Sequence, residues 1–168
     1  MRAPRGRRRG GKGMNILVSA CLLGERCRYD GRSKRDAAVE RGLVGHVAVS
    51  VCPEMAAGLP CPRTPCEAQA GGERVFDSEG RDMTDAFAHG AACAVRIAES
   101  HECRLAVLKS KSPSCGSGLV YDGSFSGRLV PGDGFAARAL KSRGVAVVDE
   151  VAFAADSAGI LRCIEHGV

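Results

Sequence analysis

The chain is expected to be an α/β protein, an open, mostly parallel sheet flanked by helices (Rossmann-like), with long Gly- and Pro-rich loops at the strand carboxyl ends. Three observations predict this. Four short apolar runs, at 15–19, 46–51, 104–108 and 145–148, have the length and β-branched content of buried strands. Helical periodicity fills much of the sequence between them. Turn formers gather in two long segments, 52–72 and 112–134, and loops of that length in a compact domain are usually functional or disordered.

Taken in order, NILVS at 15–19 is the first strand, and a short helix over 36–41 follows, closed by Gly42. The second strand is 46–51. A long helix is expected over 82–102, where Phe87, Ala91, Ala94, Val95 and Ala98 recur at helical spacing behind an Asp82 to Asp85 capping box. The third strand, 104–108, leads through a loop to a helix over 135–142, with Gly144 as its C-cap, and then to the fourth strand. Strands alternating with helices imply parallel crossovers. The expected organisation is a basic extension over 1–13 without a fold of its own, a single domain over 14–150, and a tail over 151–168 able to form one last helix.

Composition narrows the function classes. The 168 residues are 45% hydrophobic with no run long enough to span a bilayer, so no membrane partner is expected. The net charge of +5 is uneven: residues 1–13 hold six of the 24 Lys and Arg and no acid, leaving 18 cations against 19 acids. Attraction to nucleic acid is therefore expected only of the basic arm. Val18-Ser19-Ala20-Cys21 looks like a lipoprotein cleavage site, but only Ile16, Leu17 and Val18 stand between Asn15 and Ser19, too few for an export signal. A cytoplasmic location is expected.

Nine cysteines without an export signal point to a reducing compartment and to packing, ligand or nucleophile roles. None is spaced C-x-x-C, which argues against zinc ribbons and thioredoxin-type pairs. The strand assignment supplies the geometry that local spacing lacks. Cys21 and Cys52 lie just past the ends of the first and second strands and Cys115 a few residues past the third, and ligands of open parallel sheets bind beyond those ends. Three thiols facing one crevice could hold a metal or an iron-sulfur cluster.

At these residues a resemblance becomes plain. ILVSACLLG, CRYDG, VCPEMAAGLPCPR, MTDAFAHGA, LKSKSPSCG, YDGSFSG and GDGFAARAL, collinear from about Met14 to Glu150, together resemble the bacterial family whose characterised members are iron-sulfur 2-thiouracil desulfidases. The resemblance implies a 4Fe-4S cluster held by Cys21, Cys52 and Cys115, with its fourth iron open to the sulfur of a thiolated pyrimidine. It also implies hydrolysis to uracil and sulfide, with Glu54 and Ser112 as the catalytic pair. Pro53 and Pro113 stiffen the backbone beside these two residues.

Other assignments compete with this one. A fourth thiolate from Cys27 would close the site and give a structural or electron-transfer centre in place of an enzyme. A persulfide carrier using one accessible thiol is a further alternative. Cys61 and Cys66 are expected to be loop thiols, and Cys93, Cys103 and Cys163 packing residues. Arg28, Lys109 and Lys111 would offset the charge of a thiolate-bound cluster, although solvation is the default for such side chains. Gly132-Asp-Gly134-Phe-Ala-Ala137 fits a loose nucleotide pattern without the strand that pattern requires, leaving only a helix end open to an anion. The arginine spacing after Cys21 does not suit a cysteine-phosphatase loop.

Overall fold

The computed structural model describes residues 13–167 and shows a three-layer α/β/α fold. Its centre is a four-stranded parallel sheet made of β1 (Asn15–Ser19), β2 (Val47–Val51), β5 (Leu105–Leu108) and β8 (Ala146–Asp149), in the order β2-β1-β5-β8. The four expected strands are all present, with ends moved by a residue or so. The basic arm expected over 1–13 lies, apart from Gly13, outside the described residues. Among the described residues no helix is long and apolar enough to cross a membrane.

Alternation along each strand divides the core into two. Leu17, Val49, Ala106 and Leu108 face α3 (Thr84–Ser100) and α4 (Phe135–Ser142), where Phe87 meets Phe135 edge-on at 6.2 Å. Ile16, Val18, Leu105 and Val107 face α1 (Ala37–Gly42) and α5 (Glu150–His166). The two inner strands, β1 and β5, are covered on both faces, which is why they read as continuous apolar runs, whereas the edge strand β2 buries only Val49 and Val51.

Chain direction then positions the crevice. From β1 the chain passes by way of α1 to β2 on one side; from β2 it returns by way of α3, on the opposite face, to β5 on the other side of β1. Strand order therefore reverses at β1, and a parallel sheet opens a crevice at such a switch point. The pairings Ser19 with Val51, Val18 with Val107 and Leu108 with Asp149 bring the carboxyl ends to one level.

Several details depart from expectation. Gly42 is not a cap beyond α1 but its last residue, with Leu43 as the cap, and a Cβ there would lie 2.7 Å from Phe153 and 2.8 Å from Ser157, so it is a close-packing position against α5. The Asp82 to Asp85 capping box does not form. The Asp82 carboxylate instead takes the N–H and hydroxyl of Thr84, holding that carboxyl down at a pKa of about 2, and α3 starts two residues later than expected. The last helix, α5, is 17 residues long with a break at Asp156, and it buries Phe153 completely.

The two long turn-rich segments are not bare loops. The first holds α2 (Pro53–Ala56) and strand β3 (Cys66–Ala68), which pairs antiparallel with β4 (Val75–Asp77). The second holds the hairpin of β6 (Leu119–Tyr121) and β7 (Leu129–Pro131). Three-residue strands carry too little periodicity to be read in advance.

Candidate functional site

Three local structures bring the strand-end cysteines together. After β1 the chain makes one 3-10 turn, Ala20–Leu23, and the Cys21 carbonyl accepts from the backbone N–H of Lys34 at 2.8 Å. After β2, Cys52 caps α2, whose first residue is Pro53, so Glu54 lies in the first helical turn. A Cβ on Gly90 of α3 would lie 2.3 Å from the Pro53 carbonyl, so the glycine is what lets α2 sit this close to α3.

The third structure is the turn 109–115. Ser19 Oγ accepts from the N–H of Lys109 at 2.9 Å, and Glu150 accepts from the N–H of Ser110 at 2.7 Å. Burial alone would raise the pKa of Glu150, but Lys109 and the Ser110 N–H outweigh it and hold the carboxyl below its ordinary value. Further on, Ser112 Oγ accepts from the N–H groups of Ser114 and Cys115, both at 3.1 Å. The amino end of α4 closes the turn from outside: Phe135 N–H donates to the Pro113 carbonyl, and Ala136 N–H to that of Ser114. These bonds occupy the amino end of α4, so it is not open to an anion, and they give the GDGFAA motif a structural role. A Cβ on Gly134 would lie 2.5 Å from Ser114.

All five residues singled out for chemistry, Cys21, Cys52, Cys115, Glu54 and Ser112, line one cavity of about 520 Å³. Cys27, Cys66, Arg28, Lys34, Lys109 and Lys111 also reach it. The thiols crowd one another. Contact with the Cys21 thiol, with burial added, pushes Cys27 up to about 11; its hydrogen bond with Cys27, then burial, pushes Cys52 further up still. Burial alone accounts for most of the rise of Cys115 to about 12. All nine cysteines are free.

The donor set can be judged from this arrangement. Among the described residues no three His, Cys, Asp or Glu side chains converge as they would on a single metal ion. Three soft thiols instead surround a space from the ends of adjacent strands, an arrangement suited to a polynuclear iron-sulfur group.

Glu54 has partners that could not be read from the sequence. Arg63 Nε and Nη2 both lie 2.6 Å from Glu54 Oε2, and Ser114 Oγ donates to Oε1 at 3.2 Å. Both side chains of the ion pair are nearly buried. Arg63 is in turn fixed by its N–H to the Tyr29 carbonyl, and the Cys61 thiol bonds the carbonyls of Arg26 and Arg28. The CPR segment thus buttresses the CRYDG loop. Cys66, expected to be a loop thiol, stands in β3 against the cavity; Cys163, expected to pack, is exposed; Cys93 and Cys103 are buried.

Comparison with known proteins places this geometry. A family model described as 2-thiouracil desulfurase matches residues 16–152. A curated relative from Bacillus subtilis (strain 168), the uncharacterised protein YbbK, is 38% identical over 143 residues, covering 80% of this chain and 95% of its own. A solved structure of the 4Fe-4S-dependent thiouracil desulfidase TudS superposes with a TM-score of 0.80 at 38% identity, covering 92% of this chain and 99% of that one. With the family model spanning most of the chain and a relative this similar along nearly its whole length, the chain belongs to the 2-thiouracil desulfurase family.

Proposed function

We propose that this chain is a 4Fe-4S desulfidase that hydrolyses the carbon–sulfur bond of a thiolated pyrimidine such as 2-thiouracil, yielding uracil and sulfide in a reducing cytoplasm. The observation that carries the reading is the meeting of Cys21, Cys52, Cys115, Glu54 and Ser112 on one cavity at the switch point of the sheet. The three cysteines would hold the cluster, which would supply a soft Lewis acid suited to a thiocarbonyl sulfur.

The remaining chemistry belongs to the chain's own side chains. Glu54 takes a proton from the attacking water. Arg63 and Ser114 hold its carboxylate in place by donating to its two oxygens. Ser112 Oγ accepts two backbone N–H groups, which orients its own O–H for donation to the departing sulfur or a ring nitrogen. Water oxygen replaces sulfur on the ring carbon, sulfur leaves as hydrosulfide, and no electron is gained or lost. The substrate is a free thiolated base, with nucleic acid playing no part in the site.

One observation favours a second reading. The Cys27 thiol lies beside Cys21 and Cys52, and a fourth thiolate there would convert the enzyme into a closed redox or structural centre. Anaerobic reconstitution with assays for iron and acid-labile sulfide, followed by incubation with 2-thiouracil and detection of uracil, separates the two. Four irons per chain with uracil formation, and an iron-loaded but inactive Glu54→Gln variant, are the expected results. A loaded chain that forms no uracil sinks the desulfidase reading, and zinc in place of iron sinks the cluster and leaves a closed structural centre.

A further inference from the structure

The half-buried carboxylate of Glu67 plays no part in the chemistry above, yet it lines the same cavity. It has no ion-pair partner among the described residues. Its Oε2 accepts instead from the backbone N–H groups of Gly123 and Phe125, both at 3.0 Å, across more than 50 residues of chain. These two amides belong to the tip of the β6–β7 hairpin, and Tyr121 and Gly127 on either side of that tip also line the cavity.

The tip is held in a conformation that it would not adopt alone. Phe125 has φ of 55°, in the left-handed region where an aromatic residue is strained, although the residue is 40% exposed and gains little from burial. Such strain persists only where the surroundings over-determine it, and the bond from the Phe125 N–H to Glu67 is an external restraint at that residue. Gly123, with φ of 89°, sits so close to β3 that a Cβ would lie 2.9 Å from the Ala68 carbonyl. Asp122 Oδ1 and Ser126 Oγ bind Ser124 within the tip, giving it internal order, but Glu67 is what ties it to β3.

We infer that Glu67 is a positioning residue: it anchors the Asp122–Gly127 tip so that Tyr121 and Gly127 form a fixed part of the wall that confines the thiolated substrate. The inference rests on the desulfidase reading for the identity of that substrate. Two hydrogen bonds to an ionised group are enough to change the docked population of the tip, and with it substrate affinity, by about tenfold or more. Chemistry at Glu54 and the cluster cysteines should be little affected.

The test combines amide hydrogen exchange with steady-state kinetics on the full chain. In the wild type the amides of Gly123 and Phe125 should be protected; exchange there at the rate of an unstructured peptide overturns the proposal before any variant is made. In Glu67→Ala, exchange over 122–127 should rise while β1 and β5 stay protected and iron content is unchanged, and KM for 2-thiouracil should rise about tenfold with kcat within about threefold. Glu67→Gln, which keeps a carbonyl acceptor, should recover most of the loss. An unmoved tip, a loosened tip with unchanged KM, or a fall confined to kcat overturns the assignment. A wild-type chain that is iron-loaded but inactive on 2-thiouracil sinks the functional reading instead, and exchange at Gly123 and Phe125 still decides whether Glu67 holds the hairpin.

Discussion

The guanidinium of Arg63 grips Glu54 Oε2 through both Nε and Nη2 at 2.6 Å, in a setting where the two side chains are only 7% and 14% exposed. This pair joins the CPR segment to α2, and through α2 to Cys52. Burial works against the charge on Arg63, but Glu54 and the cysteines around it more than compensate and raise its pKa.

Removing Arg63 therefore has two consequences. An Arg63→Gln variant leaves a nearly buried carboxylate without its cation, which should lower stability by about 3 kcal/mol in denaturant titration. Loss of aim at Glu54 should also cut kcat by about a hundredfold even where the cluster still loads. Normal turnover in that variant would show that Glu54 needs no orienting partner.

Gly90 tests whether the contact between α2 and α3 matters to the site. A methyl group at 2.3 Å from the Pro53 carbonyl cannot be accommodated without moving α2. Gly90→Ala should cost about 1–3 kcal/mol by thermal or chemical denaturation despite the better helix propensity of alanine. Because Cys52 caps α2 and Glu54 lies in it, activity per bound cluster should fall as well. A substitution that raises stability would refute the close approach.

Cys27 and Cys115 should behave differently on substitution. If Cys21, Cys52 and Cys115 are the ligands, Cys115→Ala should lose most of its iron and acid-labile sulfide and all uracil formation. Cys27→Ala should retain the cluster and turn over within a few fold of the wild type, roughly the effect of losing a packing thiol. The reverse outcome, with iron lost on removing Cys27, would identify a closed four-thiolate centre.

Glu150 links the site to pH. Its folded-state pKa is depressed, so its contribution to stability is fully present above its unfolded value, near 4.5, and is lost as pH falls through the lower folded value. Glu150→Gln should consequently unfold at a lower temperature than the wild type at neutral pH, and the gap should close as pH drops below about 4.5. Melting curves over pH 3–7 measure it; a gap independent of pH would mean that the carboxylate charge is not what holds Lys109 and Ser110 in place.

Much of the sheet was legible because each strand is a short apolar run, and in β1 and β5 burial on both faces makes that run continuous. The strand ends then placed Cys21, Cys52 and Cys115 on one crevice, although 30 and 62 residues separate them in the chain. The hairpins were not legible. Cys66–Ala68 and Leu119–Tyr121 are three residues long, and their pairing depends on partners and turns with no periodic signal. The packing role of Gly42 was not legible either, since a glycine that caps a helix and one that admits a phenyl ring look the same in sequence.

By itself the sequence determined the α/β layering, the strand ends and the set of thiols at the crevice, since each depends on composition within a few residues of chain. Only the tertiary structure decided what surrounds them. Glu54 meets Arg63 nine residues away and Ser114 sixty residues away, Ser110 meets Glu150 across forty, and Glu67 holds Gly123 across fifty-six. Such contacts are set by how the layers pack, and a charged or polar side chain in a linear sequence carries no mark of which distant donor or acceptor will satisfy it.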